Sequence, residues 1–241
     1  ACCPMPLPMP MFMCDVVVSN HSDTGTGSLR DAIGRVRPGG SVCFDPVEFE
    51  SSEPIRINSE LLVAKDVTFL GGTGGGVTID AGNQDRIFNI GAGAFVVMRD
   101  LTLDNGTADE GGLVRTRGGV SIRDCSLQRG TATVRGGAIM GLSADVFLWD
   151  SAVTSNEAPK GAGIYLNRGD VYVDDSAVIR NDATDSGGGI YSDHASVILR
   201  NDGRLLHNHA PKGGGLYNLS PGAIAGVLEV NGGSIASNTA T

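Results

Sequence analysis

The apolar positions of this chain recur with a fixed period from Gly111 to the C-terminus. Each period opens on a Gly-rich motif such as GGAI. The apolar residue that closes the motif falls at Leu113, Ile139, Ile164, Ile190 and Leu216. The steps between these residues are 26, 25, 26 and 26 residues. A fixed period in this range predicts a solenoid, in which each repeat stacks on its neighbours.

Within one period, three short apolar runs are separated by Gly, Asn, Asp and Ser. In the second repeat they cover residues 138–140, 146–149 and 152–154. Short runs rich in β-branched residues favour strands over amphipathic helices. Three strands and three turns in about 25 residues make one triangular coil, at roughly 3–5 residues per strand. The predicted fold is all-β, a single-stranded right-handed parallel β-helix of about eight coils with ~25–26 residues each.

Polar turn residues follow the same period. One series lies shortly before an Ala in each repeat, with Gly130 in its place once, and comprises Asn105, Asn156, Asn181, Asn208 and Asn238. A second series stands just before a strand and comprises Asp100, Asp124, Asp150, Asp175 and Asp202. Asn tolerates the left-handed backbone of a sharp turn, and short carboxylates cap turns by bonding the backbone nearby. Both series are interpreted as structural turns.

The chain divides into a tail and one large domain. Residues 1–14 predict an extended Met/Pro-rich tail, because Pro at alternate positions blocks a helix. Residues 15–241 predict the β-helix domain. Its capping segment covers 16–44, irregular coils cover 45–110, and regular repeats cover 111–241.

The capping segment predicts a short amphipathic helix over residues 28–36. Ser28 is suited to cap it, Asp31 falls at the third helical position, and residues 38–40 end it. A β-helix needs its terminal coil covered, since an open strand edge invites pairing with other chains. The helix is expected to provide that cover.

The tail carries apolar side chains that are unfavourable in water. They are Met5, Leu7, Met9, Met11, Phe12 and Met13. Met suits adaptable apolar contacts, so we interpret these residues as a docking element for a partner. The alternatives are that the tail packs on its own domain, is disordered or belongs to a trimmed pro-segment.

Composition narrows the function classes. The net charge of −9 and the pI of about 4.8 argue against nucleic acid, because such binding rests on Lys and Arg at phosphates. No apolar run approaches the ~20 residues of a membrane helix, so membrane association is expected only through a partner. Five cysteines without a CxxC pair give no zinc or redox motif, and they permit one disulfide involving the tail.

Several segments resemble a known group of proteins. They are TGTGSLRDAI, GGSVCFDP, IRINSELLVAKDVTFLGG and VTIDAGNQDRIFNI, followed by the GGAI and N-x-A repeats. This series resembles exported right-handed parallel β-helix proteins of the pectin-lyase-like superfamily, in which a GSLR-x-AI segment caps the helix. The downstream repeats resemble those of polymorphic outer-membrane proteins and other autotransporter-type surface proteins. The resemblance implies the fold and export, and the Met/Pro tail departs from it.

Two sets of side chains have the chemistry of metal ligands. The Asp series, at the spacing of stacked coils, has the oxygen ligands that Ca²⁺ prefers. Glu157, Asp182 and His209 follow the Asn series and combine carboxylates with imidazole. Both sets occupy turn positions, so we favour turn capping for the first and solvated turns for the second. No metal and no cofactor is expected.

A third set follows the repeated apolar residue and comprises Met140, Tyr165, Tyr191 and Tyr217. Side chains alternate along a strand, so these residues face out where Ile164 and Ile190 face in. An exposed aromatic stripe would bind sugar or protein. We favour the other interpretation, a structural ladder that is inside the fold or under a loop.

Arg135, Lys160 and Lys212 precede the Gly motif in three repeats. A polysaccharide lyase needs such a base beside a cation that neutralises carboxylates. Surface ion pairs with nearby acids are the simpler interpretation.

These observations favour a non-catalytic structural scaffold. The expected partners are other proteins of a larger assembly or a surface polysaccharide. The expected location is the exterior or cell surface, with the lumenal side of an organelle or membrane complex as the alternative. The rival function is a carbohydrate-active enzyme of the lyase or glycoside-hydrolase type, or a sugar-binding module.

Overall fold

The computed structural model describes residues 14–72, 76–219 and 226–241, and they form a right-handed parallel β-helix of about 8 coils. Strands pair with the strand one coil earlier or later, and the ladders between coils are parallel, as in the pairing of Val120 with Val146. The predicted fold class is confirmed.

The elements before the regular repeats are, in chain order, β1 (Val16–Val18), α1 (Leu29–Arg35), β2 (Gly40–Phe44), a 3₁₀ turn (Glu48–Glu50), β3 (Ile55–Arg56), β4 (Leu61–Val63), β5 (Val67–Leu70), β6 (Val77–Asp80), β7 (Phe88–Ile90), β8 (Phe95–Arg99), β9 (Leu101–Asp104) and β10 (Thr107–Glu110). The first two regular repeats contain β11 (Val114–Thr116), β12 (Gly119–Arg123), β13 (Ser126–Gln128), β14 (Thr131–Arg135), β15 (Ile139–Leu142), β16 (Val146–Trp149), β17 (Ala152–Thr154) and β18 (Glu157–Lys160). The remaining repeats contain β19 (Ile164–Asp174), β20 (Ala177–Ile179), β21 (Asp182–Ser186), β22 (Ile190–Arg200), β23 (Arg204–Leu206), β24 (His209–Ala210), β25 (Leu216–Leu219), β26 (Leu228–Asn231), β27 (Ser234–Ala236) and β28 (Thr239–Ala240).

The coils lie on three sheets, and the coils β19–β21 and β22–β24 have the three strands expected, but the coils β11–β14, β15–β18 and β25–β28 have four. β15 and β16 both belong to the 14-stranded sheet, β17 to the eight-stranded sheet and β18 to the six-stranded sheet. The sequence pattern missed the fourth strand because β18 buries only Ala158. Its equivalents, Ala132, Ala183 and Ala210, form a small apolar cluster with it.

The core is built from columns of aliphatic side chains that point inward at successive coils. One column pairs Val96, Val120, Val146, Val171 and Val197, all fully buried. Burying one such side chain contributes about 1.5–3 kcal/mol, and no single coil can bury its own column without a neighbour. Stability therefore depends on stacking.

Four of the predicted turn asparagines form an amide column, in which Asn156, Asn181 and Asn208 are buried. The Nδ2 of Asn156 donates to Oδ1 of Asn181 at 2.9 Å, and Asn181 donates to Asn208 at 3.0 Å. Asn208 continues the column to Asn238 at 3.0 Å. Each Oδ1 also accepts the backbone N–H of the preceding asparagine, or of Gly130 at the start of the column. The column joins each coil to the next through side chain and backbone together.

The left-handed conformation predicted for these asparagines belongs to the preceding residue. The residues with positive φ at this corner are Asn105, Arg129, Ser155, Arg180, His207 and Ser237. Asn105 is thus one position out of register with the other asparagines, since the pairing of Thr107 with Thr131 aligns Gly106 with Gly130. The amides are placed for bonding between coils, and the residues before them make the turn.

The aspartate series lies at one corner of successive coils, before the eight-stranded sheet. Asp100, Asp124, Asp150 and Asp175 have φ of 54°, 52°, 47° and 45°. Among the residues that the structure describes, these four carboxylates make no hydrogen bond to the backbone, so their turn role is carried by the left-handed backbone that Asp tolerates. Asp202 is displaced by one position, and Asn201 has the left-handed φ of 48° in its coil.

The N-terminal cap forms as predicted. The Ser28 hydroxyl accepts the backbone N–H of Asp31 at 3.2 Å, and Leu29 and Ala32 of α1 are fully buried against the first coil. A disulfide joins Cys14 to Cys43 of β2. The end of the tail is therefore fixed beside the capping segment.

Candidate functional site

The column Met140, Tyr165, Tyr191 and Tyr217, called here the covered column, follows four adjacent strands of the 14-stranded sheet. The centroids of the Tyr165 and Tyr191 rings are 4.9 Å apart, and those of Tyr191 and Tyr217 are 5.1 Å apart. Met140 is fully buried, and Tyr165 and Tyr191 are 4 % and 5 % exposed. These three residues therefore form the favoured structural ladder and not an exposed stripe.

The glycine corner explains the burial. Gly161 and Gly187 have φ of 59° and 66°, which Gly adopts without strain, and they turn the chain sharply. A Cβ atom on Gly187 would lie 2.9 Å from Cα and Cβ of Tyr191, so the corner packs directly on the column. Alternation along the strand predicts the outward direction correctly, but the outward side here faces the preceding corner.

Cations from the six-stranded sheet, one coil earlier, lie over the rings. The Arg135 guanidinium is 5.0 Å from the centroid of Tyr165, and the Lys160 ammonium is 5.8 Å from that of Tyr191. Arg135 Nε donates to Glu110 at 2.8 Å, while Lys160 pairs with Asp185 at 3.7 Å. The cation series therefore covers the tyrosines and pairs with acids, and Lys212 shares Asp185 at 3.6 Å.

These surroundings alter two titrations. Burial, reinforced by Tyr165 and Asp193, raises the pKa of Tyr191 to about 12. Burial alone would raise the pKa of Glu110, but the hydrogen bond and charge of Arg135, with the charge of Arg115, lower it below its ordinary value. The covered column thus favours neutral tyrosine and ionised Glu110.

A second aromatic column was not predicted and is open to solvent. Phe147 stacks on Tyr172 with centroids 4.8 Å apart and an interplanar angle of 9°. Phe95 and Trp149 lie beside them, and all four are at least partly exposed. The signal was present in the alternation of VFLW and VYV, where Phe147 and Tyr172 lie between buried aliphatic residues and Trp149 follows one.

Two arginines lie against this column. The Arg123 guanidinium is 5.1 Å from the Trp149 centroid, and the Arg200 guanidinium is 5.4 Å from that of Tyr172. We call the surface formed by Phe95, Phe147, Trp149, Tyr172, Arg123 and Arg200, with the neighbouring Asp145 and Asp170, the open face.

The aspartate corner borders a shallow groove of about 570 Å³. The groove runs over five coils between the aspartates and the small outward residues of β9, β13, β17 and β20, and Arg204 lines its end. Burial, followed by the charge of Asp124, raises the pKa of Asp100. Cys125 also lines the groove, and burial raises the pKa of its thiol to about 12, which keeps it protonated.

Glu157, Asp182 and His209 lie on adjacent strands of the six-stranded sheet, as the repeat predicted. His209 Nδ1 is 2.7 Å from Asp182 Oδ1, and its Nε2 is 3.3 Å from the Thr241 hydroxyl. Across residues 14–72, 76–219 and 226–241, no group of three or more His, Cys, Asp or Glu side chains is arranged to hold a metal ion. The predicted docking residues of the tail lie outside the described residues.

Comparisons with protein-family models, with curated proteins and with solved structures each found no match to this chain. None of the helices in the described ranges has the length and hydropathy needed to cross a bilayer. The stacked parallel ladders place the protein in the class of parallel β-solenoids.

Proposed function

We propose that this protein is a non-catalytic interaction scaffold, in which the rigid stack of coils presents the open face to another protein. The observation that carries the proposal is the composition of that face. Trp, Tyr, Phe and Arg are enriched in the energetically dominant parts of protein interfaces. On this face they lie together on one sheet, with their positions held by the ladders beneath them.

The packing of the rings favours a protein partner over a sugar. A sugar ring stacks on an open aromatic face. Here Phe147 and Tyr172 cover one face of each other, and Arg123 lies over a face of Trp149. The surface offered to solvent is made largely of ring edges and guanidinium groups, which suit the mixed chemistry of a protein surface.

The tail remains part of the proposal as a second docking element. Its apolar residues, from Met5 to Met13, precede Cys14, which is bonded to Cys43. The disulfide would fix the origin of the tail at the capped end of the β-helix. A partner held there would be oriented relative to the stack, as expected for a peripheral subunit of a larger assembly.

Export is supported by the same disulfide, since such bonds persist in oxidising compartments. The resemblance of TGTGSLRDAI and the repeats to exported pectin-lyase-like and autotransporter-type proteins points the same way. The proposed location is the cell surface or the lumenal side of a membrane complex.

The carboxylate groove favours a second candidate, a carbohydrate-active enzyme. It brings Asp100, Asp124, Asp150 and Asp175 into one column with Arg204 at its end. Arg204 is already paired with Asp202, which is the arrangement of a surface ion pair. We therefore rank this candidate below the scaffold.

The test is affinity capture from the native source followed by mass spectrometry. The wild-type chain is compared with Trp149→Ser/Tyr172→Ser, with deletion of residues 1–13, and with Ile179→Ser/Leu206→Ser as a matched control on the eight-stranded sheet. We expect one protein to be retained by the wild type and the control and lost with the open-face variant. Equal retention by all variants would contradict a role for the open face and the tail, and repeated release of unsaturated products from acidic polysaccharides would establish the enzyme instead.

A further inference from the structure

The open face has an acidic margin and a basic margin. Along β16, Asp145, Phe147 and Trp149 alternate on the same side of the strand. Successive outward residues lie about 6.6 Å apart, so the two margins are roughly 13 Å apart, with Phe147 and Tyr172 between them. The next coil repeats the order with Asp170 and Tyr172.

The basic margin is formed by Arg123 on the coil before β16 and by Arg200 on the coil after Asp170. Asp174 interrupts this margin, but it is 4 % exposed and is hydrogen-bonded by Asn201, so its charge is withdrawn from the surface. Within the described part of the chain, no ion pair involves Arg123, Arg200, Asp145 or Asp170. The margins therefore keep their opposite charges toward solvent.

From this charge pattern we infer that the open face pairs with the open face of a second copy of this chain. The inference rests on the proposed scaffold function and names the partner. A two-fold axis parallel to the β-helix axis exchanges the margins, so that the acidic margin of each copy meets the basic margin of the other. The ring column lies near the axis and packs on itself.

The same pattern selects the orientation of the pair. A two-fold axis running across the strands would place each margin on the margin of like charge, which is repulsive. The two β-helices therefore lie side by side with their axes parallel. The acidic margin of one copy has room for the arginines of the other, because it carries the small residues Gly119 and Ser196 at the coils of Arg123 and Arg200. The aspartates of that margin lie one coil away, at about 4.8 Å.

The size of the face sets the strength of association. Five coils at about 4.8 Å and a five-residue strand give a patch of roughly 24 Å by 16 Å, or about 400 Å² per copy. A standard stable interface uses about 800 Å² per partner. The dimer is therefore weak and concentration-dependent, and it would be strengthened where copies are held close together on a surface.

The experiment is sedimentation velocity of the full chain from about 10 µM to about 1 mM, at low and high salt. We expect a reversible monomer–dimer equilibrium that weakens with salt. Arg123→Glu and Asp145→Arg should each weaken dimerisation about ten-fold or more, and the double variant, which exchanges the charges of this one pair, should restore it. Arg180→Glu, at an exposed corner on the far side of the coil, is the matched control and should leave association unchanged. Circular dichroism checks that each variant is folded.

A monomer at every concentration would overturn the inference, as would a dimer that is insensitive to these variants or a double variant that is not restored. Affinity capture separates this failure from that of the scaffold. If the wild type stays monomeric but its open face still retains a different protein, self-association is wrong and the scaffold function stands.

Discussion

Two columns of aromatic side chains run along the axis of the β-helix, and each takes one residue from each successive coil. The columns differ in whether other residues cover their rings. The covered column is enclosed by a glycine corner and by Arg135 and Lys160, while the column of Phe147 and Tyr172 is open. Both are outward-facing on parallel strands. The comparison shows that direction relative to the core does not determine exposure in a solenoid, because a sharp corner can cover an outward side chain.

The largest expected effect comes from truncating one ring of each column. Tyr191→Ala removes a buried ring between two others and should destabilise the chain by about 3–5 kcal/mol. Tyr172→Ala, in the open column, should cost only about 1–2 kcal/mol, because its cavity is filled by water. Denaturant unfolding followed by circular dichroism measures both, and equal losses would remove the distinction between the columns.

The next prediction concerns Arg135 and Lys160, the two cations that lie over the tyrosine rings. Arg135→Met keeps much of the side-chain volume but removes the guanidinium over Tyr165 and the pairing with Glu110, and should cost roughly 1–2 kcal/mol. Lys160→Met removes a more exposed pair and should cost less than about 1 kcal/mol. Thermal unfolding of both variants measures the two losses of stability. A larger loss of stability for Lys160→Met would contradict the prediction that Arg135 contributes more than Lys160 to covering the tyrosines.

Alkaline titration tests the covered column without a large change in stability. An exposed tyrosine ionises near pH 10, whereas Tyr191 should ionise near pH 12. Because its folded pKa is raised, its contribution to stability is complete below about pH 10 and is lost as the pH rises through about 12. The titration is followed by the ultraviolet absorbance of tyrosinate in the wild type and in Tyr191→Phe. The variant should lack the component that ionises last in the wild type, and an unchanged curve would show that Tyr191 is not the protected ring.

The smallest expected effect is on the stability of the protein at acid pH. The folded pKa of Glu110 is lowered, so its contribution is present above its unfolded value of about 4.3 and is lost as the pH falls through the lower folded value. The stability difference between the wild type and Arg135→Met should therefore narrow between neutral pH and about pH 3. Unfolding curves across that range measure it, and a difference independent of pH would show that Glu110 does not contribute to it.

Much of the architecture could be predicted from the sequence because single aliphatic residues, such as Ile139, Ile164 and Ile190, recur at fixed steps. The cap was readable because Ser28 and Asp31 act locally on one helix. These features depend on short stretches of chain or on a strict period, so no knowledge of distant contacts was needed.

The remaining features depend on how the coils meet. The fourth strand was missed because Ala158 is its single buried residue. Asn156 was assigned a local turn role, although its amide bonds residues about 25 positions away. The sequence left both a ladder and an exposed stripe open for the tyrosines, because their cover comes from the preceding corner. The open face was overlooked because Phe147 and Tyr172 alternate with aliphatic residues that look like core.

The amide column has a consequence for how such a chain accommodates length changes. The hydrogen bonds of Asn156, Asn181 and Asn208 keep successive coils in register. One coil has an extra residue at Asn201–Gly203, at the aspartate corner, and the column is unaffected by it. Loops grafted at that aspartate corner should leave the hydrogen bonds of the column in place. The molecule thereby separates the part that keeps the coils aligned from the part that can vary in sequence, and it offers a platform on which new surface loops can be mounted at a spacing set by the stack.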